Sequence, residues 1–315
     1  GAVSGVLVRD IPQIIKKHYT APACVMSIPD YSARNYTLMR LALQHRDVTL
    51  WATANPSTIL ELLRTLNENT EEMIQDIEYG TISDLFDIPY FIREELYAYV
   101  SPKPERADEL RQILQEKGKL EPRDFWPWLQ YLSTWKCGNP KIYMDKYMDQ
   151  FDWDKTFYQE LGYIATECRF GFSLDDTNES VLFPQFHYYE FVEESELDSP
   201  HKNFLQIYQL EQGKRYCAYV TTYSGLFRYN MNDLIEVGGK FKNTPTIHMI
   251  SKVNGIVSLT GEKLYEPQFL DAVHKAEEDT GIKTKFFVGF ADVKESKYHF
   301  YYEFVDEDVD QQTAD

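Results

Sequence analysis

Val48-Thr49-Leu50-Trp51-Ala52-Thr53 is an apolar run that stops at Asn55-Pro56, and an amphipathic helix follows at once. Asn is a favoured N-cap and Pro is tolerated in the first helical turn, so the strand-to-helix junction leaves little freedom. Ile59, Leu62, Leu63 and Leu66 recur at the spacing of one buried helix face. Further helical segments lead to a second strand-like run at 132–138. A chain that alternates apolar strands with amphipathic helices builds an α/β layer with a partly parallel sheet.

The same patterns extend to both sides. A short helix is expected at 11–18, a buried strand at 23–28 before Pro29-Asp30, and a helix at 32–45 with Leu38, Leu41 and Ala42 inward. Helices follow at 70–79, closed by Gly80, and at 101–119, with Leu110, Ile113 and Leu114 inward and Gly118 at the end. Asp124 is expected to cap a short helix through Trp126-Pro127-Trp128. Docking of both aromatics into the core is a simpler account of them than ligand stacking. Residues 141–150 read as helical.

Beyond this point strands dominate. Leu161-Gly162-Tyr163-Ile164-Ala165-Thr166-Glu167 predicts a short strand running into a turn. Residues 181–192 are strand-rich and aromatic, and 193–198 are an acidic loop. Residues 215–222 alternate like a strand, which Gly225 breaks; Asp233 lies after the break, where a carboxylate can face a cleft. A strand is expected at 247–250. From 256 on, a helix at 266–280 and strands at 285–290 and 299–304 read as a small α+β module. The domain boundary is placed near 251–254, giving a large domain over 1–250 and the start of a smaller one over 251–315.

The formal net charge of −18 repels phosphate backbones and argues against a nucleic-acid partner. A nucleotide is still compatible, because one local site with a metal ion overcomes such a field. The four cysteines, Cys24, Cys137, Cys168 and Cys217, lack metal-ligand spacing and read as free thiols of a reducing cytoplasm. No apolar run is long enough to span a membrane.

Three stretches carry chemistry: Tyr163-x-x-Thr166-Glu167, Gly225-Leu226-Phe227-Arg228-Tyr229 with Asp233, and Gly261-Glu262-Lys263. Each follows a predicted strand, where open α/β sheets place their ligands. A Tyr ring can stack on a purine, a Thr hydroxyl can hold a phosphate oxygen, and a Glu is a hard oxygen ligand suited to magnesium. An Asp can accept ribose hydroxyls. Singly these are weak: Glu167 alone is more simply a surface carboxylate, and a lone Asp past a strand is more simply a turn residue.

Together, in this order and with the aromatic strand Phe186-His187-Tyr188-Tyr189-Glu190-Phe191 between them, they resemble the auxin-responsive-promoter (Gretchen Hagen) family of acyl acid amido synthetases. That family lies within the adenylate-forming enzymes and carries Y-x-x-[ST]-E, then G-L-[YF]-R-Y-x-x-G-D. The resemblance implies a large mixed-sheet α/β N-terminal domain and a smaller α+β C-terminal domain, both truncated here. It implies that Asp233 holds the ribose of ATP, that Tyr163 packs on adenine, and that Thr166 and Glu167 face the α-phosphate and its Mg2+. Tyr229 would shape the nucleotide pocket, Ser251-Lys252 would be a hinge, and the loop bearing Lys263 would be carried to the active site. The implied reaction activates a carboxylic acid as its acyl adenylate, and an amino acid then displaces AMP. An acyl-CoA ligase, which shares the first half, and a degenerate member that binds without catalysis are the alternatives.

Two departures from the family pattern stand out. Asn232 replaces the Gly before the Asp; Asn tolerates left-handed backbone, so the turn is expected to survive. Nothing in residues 1–60 resembles the family's Ser/Thr/Gly-rich phosphate loop. The chain is therefore expected to be an interior fragment of a longer enzyme, inactive alone. Its Gly-Glu-Lys-Leu loop resembles that of bacterial relatives.

Overall fold

The computed structural model of the chain describes residues 12–137, 144–253, 256–257, 264–292 and 297–305. They belong to two compact units. The first holds the described residues up to Lys136, those from Met144 to Leu161, and Asp175–Thr177; the second holds Cys137, Gly162–Leu174 and the described residues from Asn178 on.

The first unit is helical around a small parallel sheet. Its helices are α1 (Gln13–Lys16), α2 (Tyr31–Leu43), α3 (Pro56–Glu68), α4 (Thr70–Tyr79), α5 (Tyr90–Leu96), α6 (Pro104–Lys117) and α7 (Pro122–Phe125). Strands β1 (Leu50–Ala52), β2 (Tyr131–Thr134) and β3 (Phe157–Glu160) pair in that order, all parallel. The caps act as the sequence suggests. The Asn55 side chain accepts the Ser57 N–H at 3.0 Å, and Asp30 accepts from Ala33 at 2.6 Å. Ile59, Leu62, Leu63 and Leu66 are all buried.

One buried polar network ties α2 to α4. Asp76 accepts from the Tyr36 hydroxyl at 2.7 Å, the Thr81 hydroxyl at 2.6 Å and the Ser83 N–H at 2.7 Å. Arg40, fully buried, donates to the Thr81 and Asp76 carbonyls and to Gln44, each at 2.8 Å. Burial pushes its pKa down to about 10, so it remains a cation at neutral pH.

The second unit is built on a six-stranded sheet of order β4-β5-β9-β8-β7-β6, antiparallel throughout. The strands are β4 (Gly171–Phe172), β5 (Ser180–Leu182), β6 (Tyr188–Glu193), β7 (Arg215–Thr221), β8 (Tyr229–Phe241) and β9 (Thr244–Lys252). Tyr163, Phe170, Tyr189, Phe191, Tyr216, Val220 and Ile235 belong to its larger core. Val192, Cys217 and Tyr219 form a second buried cluster. Two short strands, β10 (Ile256–Val257) and β11 (Leu264–Tyr265), lead into α8 (Glu266–Thr280) and the hairpin of β12 (Thr284–Asp292) and β13 (Lys297–Phe304).

Among the described residues, the parallel pairing expected from strand–helix alternation is confined to β1, β2 and β3. Several local expectations are corrected. Residues 23–28 are a 3-10 helix over Ala23–Ser27, not a strand; Pro22 starts the turn, and only Val25 and Ile28, three apart, are buried. Asp124 lies inside α7 rather than capping it. Trp126 is buried, with its indole N–H on the His45 carbonyl at 3.0 Å, whereas Trp128 is 59% exposed. Leu38 and Ala42 are only half-buried; the buried side of α2 includes Tyr36 and Arg40, a polar choice that apolar spacing hides. Of residues 141–150, the first three lie outside the described residues, Met144 is helical as expected, and Met148–Gln150 form a 3-10 turn. No helix among the described residues is long and apolar enough to cross a membrane.

Candidate functional site

The site is made by an irregularity in the six-stranded sheet. Cys217 on β7 lies opposite Leu234 on β8, yet Tyr219 lies opposite Asn230. Two steps along β7 (217 to 219) therefore match four along β8 (230 to 234), and β8 carries two extra residues. Bulges of this kind re-aim side chains. Asn232 absorbs the distortion with a φ of 57°, in the left-handed region that Asn tolerates. The Asn230 side-chain oxygen pins it, accepting the Asn232 N–H at 2.8 Å and the Cys217 thiol at 3.2 Å.

Asp233 emerges from the bulge turned inward and is 2% exposed. The sequence places Asp233 after the Gly225 break, where a carboxylate can face a cleft, and as a lone residue more simply in a turn. In fact the turn closes earlier, with the Arg228 N–H on the Thr221 hydroxyl at 2.9 Å, and the strand resumes at Tyr229. The Tyr163 hydroxyl donates to Asp233 Oδ2 at 2.5 Å. Lys252, directly opposite on β9, forms an ion pair with Oδ1. Burial first, then the Asp233 charge, pushes the Tyr163 phenol well above its ordinary range, so it keeps the proton it donates.

Tyr163 itself is fixed. Its ring stacks on Phe170 with centroids 4.2 Å apart, and its backbone N–H donates to Ser180 Oγ at 3.1 Å. From there residues 163–170 run out and back as a narrow loop: the turn expected at Thr166-Glu167 is present, but the short strand expected to lead into it is reduced to a single bridge. The polar-looking β3 before it forms the strand instead. Ile164 bridges to Arg169, and the Ala165 N–H donates to the Cys168 carbonyl at 3.0 Å. Thr166 and Glu167 form the tip, Thr166 exposed and Glu167 half-buried. Tyr229, at the start of β8 opposite Val220, is partly exposed. The structure thus joins Tyr163 to Asp233 and places Thr166 and Glu167 three and four residues along the loop from Tyr163. Lys263 lies outside the described residues, as does the loop that bears it.

Three residues with parts in this geometry were not singled out from sequence as site residues. Lys252 was expected as a hinge and not as the partner of Asp233. Glu190, 4% exposed, takes a bidentate pair from Arg228 at 2.7 and 2.8 Å. The Arg228 guanidinium also lies 4.3 Å over the Phe204 ring. The signal was an acidic residue between Tyr189 and Phe191 in a strand whose neighbours are core.

Among the described residues no group of three or more His, Cys, Asp or Glu is gathered to hold a metal. Magnesium does not need one, since one or two carboxylates and substrate phosphates suffice; Glu167, half-buried at the loop tip, offers one carboxylate. None of the four cysteines is in a disulfide. Burial pushes Cys168 up to about 12 and Cys217 up to about 11, so neither is a ready nucleophile.

Residues 1–155 match the GH3 family N-terminal domain, and residues 180–252 match the GH3 family central domain. The chain belongs to the GH3 family. This bears out the resemblance read from the three motif stretches. Among curated relatives, this GH3 chain is 25% identical over 297 residues to the indole-3-acetic acid-amido synthetase GH3.3 of Arabidopsis thaliana, covering 90% of this chain and 49% of that protein. It is 26% identical over 300 residues to the 4-substituted benzoates-glutamate ligase GH3.12 of the same plant, covering 90% and 50%. The chain thus spans about half the length of the curated relatives it matches. Among solved structures, the GH3.15 acyl acid amido synthetase superposes with a TM-score of 0.74 at 20% identity, over 94% of this chain and 53% of that one. The mixed α/β fold is therefore a GH3 fold.

Proposed function

We propose that this chain is the acid- and ATP-binding part of an ATP-dependent acyl acid amido synthetase. The observation that carries the proposal is Asp233, a buried carboxylate delivered by a sheet bulge and oriented by the Tyr163 hydroxyl, in a chain of the GH3 family. Its role is to accept the ribose hydroxyls of ATP. Tyr163 holds that carboxylate and forms the floor beneath the adenine, and Tyr229 borders the pocket. Thr166 and Glu167, at the loop tip, face the α-phosphate, with Glu167 as the protein ligand of Mg2+. That ion, when bound, neutralises charge on the phosphates as pyrophosphate leaves. Lys263 comes from the small domain, whose start we place at 251, with Ser251-Lys252 as the hinge.

The acid carboxylate attacks the α-phosphorus, the bond to pyrophosphate breaks, and the amine of an amino acid then displaces AMP to leave an amide. No enzyme nucleophile is required, in keeping with the raised thiol pKa values. The setting proposed is the cytoplasm.

The test is acid-dependent ATP–pyrophosphate exchange on the full-length gene product, with a panel of aryl and alkyl acids. Exchange that needs an acid and disappears in Asp233→Ala is expected. Exchange that survives in Asp233→Ala would remove Asp233 from the site, and no exchange with any acid would sink the activity. AMP release that depends on amino acids rather than on CoA distinguishes the synthetase from a CoA ligase.

A further inference from the structure

We propose that Lys252 is a displaceable cap on Asp233, a positioning residue that holds the carboxylate until ribose hydroxyls replace it. This rests on the ribose-binding role given to Asp233 above.

The two partners of Asp233 differ in what it takes to move them. Tyr163 is buried, stacked on Phe170 and held through its backbone by Ser180. It cannot leave Oδ2 without opening the core. Lys252 ends β9 and its side chain is 53% exposed, although its ammonium meets a carboxylate that is 2% exposed. Among the described residues its other hydrogen bond is to the Met231 carbonyl at 3.5 Å, at the long limit of such a bond. Rotation of one flexible side chain would uncover Oδ1, and nothing in the core would move.

A buried carboxylate stripped of its cation is costly, so the cap and the ligand exchange rather than act in sequence. A ribose presents two adjacent O–H donors, which match the acceptor sites that remain on a carboxylate already bonded once to Tyr163. Register adds a consequence. Lys252 is the last residue of β9 and lies directly across from Asp233. Release of its side chain leaves this main-chain pairing in place, so the exchange needs no movement of the sheet.

The experiment is amine-acylation footprinting of Lys252, read by mass spectrometry on the full-length protein. The protein is compared free, with ATP, with adenosine, with 2′,3′-dideoxyadenosine and with tripolyphosphate. ATP and adenosine are expected to raise the acylation rate of Lys252 several-fold; the dideoxynucleoside and tripolyphosphate are not. An unchanged or lower rate with ATP bound overturns the cap. ATP affinity of Asp233→Asn, measured by calorimetry in parallel, separates the two ideas. If this variant binds like the wild type, the ribose role fails and the cap with it. If it binds weakly while Lys252 acylation ignores ATP, the ribose role stands and the cap alone is wrong. A folded Lys252→Met protein should bind ATP more tightly, by the factor with which the capped form outweighs the open one. Weaker binding there would also count against the cap.

Discussion

Tyr163 and Asp233 are 70 residues apart in the chain and share a 2.5 Å hydrogen bond in the interior of the sheet unit. Replacing Tyr163 by Phe keeps the ring on Phe170 and removes only the donor. Hydrogen bonds to charged groups contribute ~1.5–3 kcal/mol, so Tyr163→Phe should lose stability of that order in urea unfolding. ATP binding should weaken in the same variant, because the carboxylate loses one of its two anchors. Full stability with full ATP affinity would show that the bond orients nothing.

Gly80 and Gly118 both end helices with left-handed backbone, at φ values of 71° and 78°. They differ in what surrounds them. A Cβ at Gly118 meets open space, whereas one at Gly80 collides with the backbone of Ser101 and Pro102. Gly118→Ala should therefore cost only the conformational term, about 1–2 kcal/mol. Gly80→Ala should cost distinctly more, since backbone must shift. Equal midpoints in a denaturant titration of the two variants would refute the distinction.

His45 supplies a pH dependence. Its pKa is lowered, first by burial and then by the Lys103 charge, from an ordinary value of 6.5. The unfolded chain thus binds a proton at His45 more readily than the folded one. Stability is full above pH 6.5 and falls as pH drops below it toward the lowered folded value. A His45→Gln variant should show a flatter midpoint between pH 7 and pH 5 than the wild type. Parallel curves would exclude His45 as a contributor.

Arg40 and Arg64 offer a contrast between buried and exposed charge. Arg40→Met leaves two backbone carbonyls and the Gln44 side chain without their donor. Breaking such a buried arrangement costs about 3–5 kcal/mol. Arg64 pairs with Glu68 one turn away in water, so Arg64→Ala should stay within roughly 0.5 kcal/mol. Comparison of the two thermal unfolding curves decides the matter.

Local signals made much of this fold legible. The Asn55-Pro56 junction, the inward face of α3 and both ends of α8 could be read from residues whose effects reach only a few positions. Residues 23–28 were misread because an apolar run does not say whether a neighbouring strand exists to pair with. The site divides in the same way. Asp233 could be picked out by its motif, but its burial depends on a two-residue mismatch between β7 and β8 that no single strand encodes. Glu190 and Lys252 acquire their roles only from partners 38 and 19 positions away, Arg228 and Asp233 (228−190 and 252−233).

The parallel ladder of the helical unit has a consequence in time. Leu50 is opposite Tyr131, and Tyr131 is opposite Phe157, so neither pairing can be reached by a tight turn. Helices α2 to α7 can form their turns while β1, β2 and β3 are still far apart. Closure of so long a stretch must be met before the ladder returns any stabilisation. The helical layer is therefore expected to form early, with the three short strands closing last, and backbone hydrogen-exchange protection after refolding should appear in α2 to α6 before it appears in β1 to β3.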